Sequence, residues 1–321
     1  MHRFKEILKA EEKKITAALR DEINRLDPVV RPLVLHLVNA GGKRIRPLMT
    51  VLTAGAFGCS DPMIYALGGA MELLHGATLM HDDVVDGAEL RRGSPATHTV
   101  FGINRSILAG DVLLAACMRI VLRSRNFEIM ESVALAAEKT AAGEVEELHN
   151  LRNPQLDFAG YLRIITGKTA CLAACACEIG AMQAGAPPER SRAAAAFGLE
   201  LGIAFQMVDD ALDIAPQSVT GKPAGGDLRE GKVTPMFHFY LETLSPRERP
   251  EFIEAFSSGS FSESALRSIT SRMRERGCAE RTRALASEHL LKAAEYLALV
   301  PEGQEREILR ALIAHVRDRD Y

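Results

Sequence analysis

His75-Gly76-Ala77-Thr78-Leu79-Met80-His81-Asp82-Asp83-Val84-Val85-Asp86 places three aspartates at the end of an apolar run with helical spacing. A second stretch answers it: Gln206-Met207-Val208-Asp209-Asp210-Ala211-Leu212-Asp213 repeats the aspartate spacing, so Asp82, Asp83 and Asp86 have counterparts in Asp209, Asp210 and Asp213. At 3.6 residues per turn, His75, Asp82 and Asp86 share one stripe, and Gln206, Asp209, Asp210 and Asp213 follow the i, i+3, i+4, i+7 pattern of another. The flanking residues are apolar, so both helices are expected to be embedded. Burying adjacent like charges costs several kcal/mol unless a cation compensates. The two stripes therefore call for shared cations.

Outward from these stripes the chain reads as helix almost throughout. No segment of the 321 residues sustains period-two alternation between turn residues, and apolar residues, 47% of the total, recur at helical spacing. The expectation is an all-α protein folded as one large domain over 1–321, with no linker. A net charge of -3 argues against a nucleic-acid partner that relies on a global positive field. Six cysteines without a C-x-x-C pair read as reduced, buried thiols. The charged, amphipathic N-terminus lacks the features of a signal peptide, which points to a cytoplasmic protein. Thr169 to Ala184 and Ala193 to Val208 fall short of the ~20 apolar residues that span a bilayer and read as core helices.

Helices are expected over Met1 to Leu26, Val29 to Val38, Leu48 to Ala56, Pro62 to Asp86, Ser106 to Ser124, Phe127 to Leu151, Asp157 to Gly185 and Pro188 to Ile214. Three or four more follow Pro235. Gly41-Gly42 followed by Lys43, Arg44 and Arg46 puts a basic cluster where a helix begins and its free N–H groups point outward. Gly87 to Gly102 reads as an irregular connection carrying Arg91-Arg92-Gly93. Ala215 to Val233 has the Gly/Pro/Ser content of a loop yet holds Lys222, Asp227, Arg229 and Lys232, which makes it a lid candidate.

Open arrays of carboxylates without a cysteine or histidine cage suit Mg²⁺, which commonly joins one or two carboxylates to substrate phosphates. Lys43, Arg46, Arg91, Arg92, Lys168, Lys222 and Lys232 are more cations than one phosphate group needs. Two diphosphates fit better, one held through metal and one directly on guanidinium and ammonium groups.

Six motifs occur in order: G-G-K-R-I-R-P at Gly41, D-D-V-V-D at Asp82, L-R-R-G-S-P at Leu90, G-K-T at Gly167, F-Q-M-V-D-D-A-L-D at Phe205 and G-K-P-A-G-G-D-L-R-E-G-K at Gly221. With them the chain resembles the trans-isoprenyl diphosphate synthases, the polyprenyl synthetase family, over essentially its whole length. The resemblance implies a helical bundle of the isoprenoid synthase type with a central cavity between two Asp-rich helices. It also implies that Asp82, Asp83, Asp86, Asp209, Asp210 and Asp213 bind three Mg²⁺ that grip an allylic diphosphate. Arg91, Lys168, Lys222 and Lys232 would complete that pocket. Lys43, Arg46, His75 and Arg92 would hold the diphosphate of isopentenyl diphosphate, with Thr169 and Gln206 near the reacting carbons. A homodimer is implied as well. One departure from the family pattern is that Thr234 and Pro235 are adjacent after the last G-K, which bears on how Lys232 is aimed.

The growing tail would descend along the helix below Asp82. Ala77 and Thr78 stand about 7.5 and 6 Å deeper at 1.5 Å per residue, and neither is bulky. An aromatic ring is common there in short-chain relatives, so the expected product is a polyprenyl diphosphate longer than C20. If another helix supplies the floor, with Leu74, Met71, Met118 or Met182 as candidates, the product is a farnesyl- or geranylgeranyl-sized chain. Other readings fit less well. Gly226 to Lys232 imitates a P-loop, but Val233 stands where Ser or Thr should follow. A His-Asp phosphohydrolase leaves the second aspartate motif unexplained. A class I terpene cyclase usually has an Asn/Ser/Glu-type second motif, and a non-catalytic subunit would have no use for intact aspartates.

Overall fold

The computed structural model describes residues 2–216 and 223–319, with side chains from residue 7 onward. Among these, nearly all regular structure is helical: α1 His2–Asn24, α2 Arg31–Asn39, α3 Ile45–Ala56, α4 Met63–Val85, α5 Thr97–Phe101, α6 Ile103–Leu122, α7 Phe127–His149, α8 Phe158–Ile165, α9 Cys171–Gln183, α10 Pro188–Asp213, α11 Gly226–Glu230, α12 Pro235–Thr243, α13 Glu248–Ser258, α14 Glu263–Glu275, α15 Cys278–Leu297 and α16 Gln304–Arg317. The all-α expectation holds. The C-terminal part contributes five helices, one more than the periodicity suggested.

The 1–321 domain resolves into two compact units whose segments alternate along the chain. The first comprises 1–138, 172–196 and 296–309, the second 139–171, 197–295 and 310–321. In the first unit α4 is the central element and packs against α1, α3 and α6. Its Leu67, Met71 and Leu73 are fully buried with Ile15, Leu19 and Ile23 of α1 and Met49 and Leu52 of α3. The charged α1 is thus an amphipathic helix laid on the core. The second unit is built on an aromatic cluster in which Phe237 and Phe256 stack at 4.5 Å between centroids and Tyr240 meets the edge of Phe252 at 5.2 Å.

Two irregularities lie at motif positions. The connection after α4 contains a hairpin, β1 Leu90–Arg91 paired antiparallel with β2 Ser94–Pro95. Its two-residue turn, Arg92-Gly93, has positive φ at both positions, 53° and 77°, as the right-handed twist of short hairpins demands. A two-residue strand is too short to leave an alternating pattern, so the sequence reads as loop here. The second irregularity is in the expected helix Asp157 to Gly185, which is interrupted by a π-helical turn, Thr166–Ala170, over the G-K-T motif. At this level α7 comes against the turn through two glycines. A Cβ on Gly143 would lie 2.4 Å from the Lys168 nitrogen, and one on Gly167 would lie 2.9 Å from the Lys139 carbonyl oxygen. Such one-turn π segments recur at functional sites because they turn side chains out of the ordinary helical register. The helical run 158–183 is longer than the apolar stretches read from sequence and would suffice in length and composition to cross a bilayer. However, 67% of its apolar window is buried inside the protein, as in a core helix.

Candidate active site

In the first unit, the last turn of α4 carries the first aspartate motif. Asp82 is half-buried, Asp83 is buried and Asp86 is exposed at the helix C-cap. Arg91 donates from Nε to Asp83 Oδ1 at 2.7 Å and also from Nη2, while Asp83 Oδ2 is buried with no hydrogen-bond partner. The hairpin explains how two adjacent arginines part ways. Arg91, on the strand, turns to Asp83, whereas Arg92, in the turn, lays its guanidinium against Gly42, where a Cβ would come within 2.4 Å of Nη1. Arg92, Arg46 and His75 thereby share one electrostatic neighbourhood. Burial, and then the charges of Arg46, Arg92 and Arg91, hold the His75 ring well below its usual range, so it is neutral at pH 7. Glu72, one turn before His75, is pushed up by burial and drawn back by Arg46, Arg44 and Arg92. Lys43 is exposed, just before α3, and Arg46 sits half-buried in that helix's first turn. Ala77 is buried, and Thr78 turns its hydroxyl onto the His75 carbonyl at 2.9 Å.

In the second unit, α10 carries the second motif beside a cavity of about 90 Å³. Lys168, Thr169, Gln206, Asp210 and Lys232 all line it, as do Asp227, which the sequence placed only in a lid candidate, and Glu147 and Tyr161, which sequence reasoning missed. Apolar walls come from Leu156, Ile164 and Ile165. Polar groups form a chain: the Tyr161 hydroxyl donates to Asp210 Oδ2 at 2.6 Å, Gln206 Nε2 donates to Oδ1 at 2.9 Å, and the Thr169 hydroxyl donates to Gln206 Oε1 at 3.0 Å. Burial nevertheless raises Asp210 from 3.8 to about 7, against those two hydrogen bonds and with help from Asp209 and Glu147. Lys168 Nζ meets Glu144 at 2.8 Å and Glu147 at 2.5 Å, and Lys232 meets Glu230 at 2.7 Å and Glu147 at 3.7 Å.

The three aspartates of the second motif have different surroundings. Asp209 pairs with Arg319, whose guanidinium also lies 4.7 Å over the Phe205 ring. Asp213, expected as a metal ligand, accepts the Gly226 N–H at 3.0 Å on one oxygen and the Asp227 N–H at 3.2 Å on the other. That double acceptance makes Asp213 the anchor of α11. Glu144 and Glu147 are spaced i, i+3 on α7, an ordinary acidic pair that residue type and spacing do not tie to Lys168 or Lys232. The place of Arg319 left no signal in the sequence. Lys222 lies outside the described residues.

Among the described residues, no three His, Cys, Asp or Glu side chains form a metal-binding cluster. The motif carboxylates are hard oxygen donors of the kind Mg²⁺ takes together with phosphate oxygens and water. The donors present are all carboxylate oxygens, and the unpartnered Asp83 Oδ2 has room for one more interaction. The six cysteines are all free thiols. Cys177 is buried and pushed up to about 12, an inert state rather than a soft-metal site.

The sequence model of the polyprenyl synthetase family matches residues 27–273, and the chain belongs to that family. Its members are trans-prenyltransferases, and this protein is an enzyme of that class. It is 34% identical over 309 residues to the octaprenyl diphosphate synthase of Escherichia coli (strain K12), covering 95% of each chain. It is 31% identical over 296 residues to the heptaprenyl diphosphate synthase component 2 of Bacillus subtilis (strain 168), covering 92% of this chain and 84% of that one. Among solved structures, the polyprenyl synthase from Caulobacter crescentus CB15 complexed with calcium and isoprenyl diphosphate matches with a TM-score of 0.93 and 36% identity, over 100% of this chain and 98% of that one. The fold is thus the helical isoprenoid synthase fold.

Because Asp210 is raised above its ordinary value in the folded protein, its contribution to stability is fully present below 3.8 and is lost as pH rises through about 7. Asp213 and Asp227 are shifted in the same direction, chiefly by burial. Thermal melts in chelator should therefore show stability falling between pH 4 and 8, by up to about 1.4 kcal/mol per pH unit for each group that titrates. Asp210→Asn should flatten the profile, and added Mg²⁺ should restore stability at the alkaline end.

Proposed function

We propose that the protein condenses isopentenyl diphosphate head-to-tail with an allylic diphosphate primer and repeats the step to give an all-trans polyprenyl diphosphate longer than C20. The observation that carries this reading is the cavity of the second unit, whose lining combines Lys168, Lys232 and buried carboxylates with the apolar Leu156, Ile164 and Ile165. That is the lining a diphosphate with a hydrocarbon tail requires. Asp82, Asp83, Asp86, Asp209 and Asp210 would hold Mg²⁺, three ions by family resemblance. Asp213 is left out because both its oxygens serve α11. When bound, Mg²⁺ supplies positive charge that stabilises a departing diphosphate.

The chain's own residues account for the rest. Lys168 and Lys232 bind phosphate oxygens of the allylic substrate as the C–O bond ionises, and Arg91 fixes Asp83. Thr169, linked to Gln206, gives the site a polar edge near the reacting carbons. Lys43, Arg46 and Arg92 hold the diphosphate of isopentenyl diphosphate, where His75, being neutral, contributes a hydrogen bond and no charge. By resemblance to the family, the proton lost after condensation passes to the released diphosphate. The apolar walls keep water from the carbocation.

Ala77 leaves the path below the first motif without a ring, which supports the longer product. The alternative is a shorter chain stopped by Met71, Leu74 or their neighbours. With farnesyl and isopentenyl diphosphates and Mg²⁺, mass analysis should show products beyond C20; a single C20 product would establish the shorter reading. In the same assay Asp82→Ala should lower turnover by about 10²–10³-fold or more while leaving the melting profile intact. Near-wild-type rates would remove Asp82 from the metal site. Ala77→Phe should shorten the product, and unchanged chromatograms would route the tail elsewhere.

We also propose a homodimer through α5 and α6, which leave Val100, Ile103, Ile107, Leu108 and Leu122 exposed at 51%, 54%, 38%, 63% and 59%. These apolar side chains, interspersed with the exposed Asp111 and Arg119, are candidates for burial against a partner. Sedimentation should give a dimer that Leu108→Glu converts to monomer; a monomeric wild type would favour a separate partner subunit. The six free thiols support a reducing compartment, the cytoplasm.

A further inference from the structure

Arg152 lies in the connection between α7 and α8 with its backbone in the left-handed region, φ 59°. It makes three contacts, each to a backbone carbonyl near the end of a helix. Its own N–H donates to the Gly231 carbonyl at 2.7 Å, Nη2 donates to the Arg229 carbonyl at 3.1 Å and Nη1 donates to the Phe256 carbonyl at 3.3 Å. These are C-terminal carbonyls of α11 and α13, where orphan acceptors and the negative end of the helix dipole favour a cation. The fit is tight. Gly231 and Gly259 have φ of 87° and 66°, and a Cβ on either would come within 2.5 and 2.4 Å of the Arg152 side chain. Both helix ends are thus moulded around one guanidinium.

What Arg152 holds is the segment that reaches the cavity. Asp227 lies in the first turn of α11, and its carbonyl accepts the Gly231 and Lys232 N–H groups at 2.9 and 2.8 Å. Lys232 follows immediately and extends to Glu230 and Glu147 at the cavity wall. The segment is fastened at its start by Asp213, through the Gly226 and Asp227 N–H groups, and at its end by Arg152. A lysine alone, with four rotatable bonds and a single ammonium, holds no fixed direction, so its aim is set by where its backbone is fixed.

We propose that Arg152 is a positioning residue for the allylic diphosphate: it touches no substrate, but by gripping the C-terminal end of α11 it fixes the backbone from which Lys232 reaches the phosphate. The assignment rests on the prenyl-transfer reading above. It also bears on the adjacent Thr234-Pro235, because the position of Lys232 is set from the N-terminal side, by Arg152, before the chain enters α12.

The test is steady-state kinetics on the full chain with each substrate varied in turn. Arg152→Met should raise KM for farnesyl diphosphate about tenfold, the loss expected for charge-assisted hydrogen bonds, while KM for isopentenyl diphosphate stays within about twofold. Arg152→Lys should not rescue it, since one ammonium cannot serve both carbonyls in the fork's geometry. Gly259→Ala, which presses on the guanidinium from the far side, should reproduce the selective rise and add nothing further in the Arg152→Met background. It also carries the test if Arg152→Met fails to fold. Equal changes in both KM values, unchanged KM values in folded variants, or additive effects of the two substitutions would overturn the proposal. Absence of elongation by the wild type would instead sink the prenyl-transfer reading. Calorimetry of inorganic diphosphate with Mg²⁺ then decides the role of Arg152 separately: weaker binding in Arg152→Met supports it, and unchanged binding rejects it.

Discussion

Charged side chains carried on apolar helices set the terms for this molecule. A carboxylate moved out of water must be paired, hydrogen-bonded or protonated, and each buried aspartate here meets that demand differently. Asp83 takes Arg91, Asp210 takes a tyrosine and a glutamine and still rises toward neutrality, and Asp213 takes two backbone N–H groups. The lysines mirror them, with Glu147 lying between Lys168 and Lys232. The network leaves some buried oxygens unmet, Asp83 Oδ2 and Glu144 Oε1 among them, and an unmet buried oxygen is costly until something pairs with it.

Backbone irregularity concentrates where these side chains need direction. The π-helical turn over Gly167-Lys168-Thr169 and the close glycine contact of α7 bring Lys168 against Glu144 and Glu147. The Arg92-Gly93 turn separates two neighbouring arginines into two tasks, and the left-handed Arg152 lets one residue grip two helix ends. In each case a regular helix would have sent the side chain elsewhere.

Much of the site was legible before folding was considered. Asp82, Asp83, Gln206, Asp209 and Asp210 are announced by residue type and spacing, because a helix converts i, i+3, i+4 spacing into a face without help from tertiary contacts, whereas the roles of Lys168, Thr169 and Lys232 came with the family resemblance. The helices were legible for the same reason, with bounds close to those observed. Tyr161, Glu147, Arg152 and Arg319 were not legible as site residues. Each acts on a residue distant in sequence, and no local pattern records a partner that only chain folding supplies.

Sequence alone therefore determined the all-helical class, the two carboxylate stripes and the phosphate-binding character of the chemistry, since periodicity and charge are local properties. Tertiary structure decided how those charges are shared. It made Asp213 a loop anchor, set Asp210 near neutrality through burial, gave Arg91 and Arg92 separate partners and tied Lys232 to Arg152. Burial and long-range hydrogen bonds depend on which helices meet, and the run of residues along any one helix does not contain that.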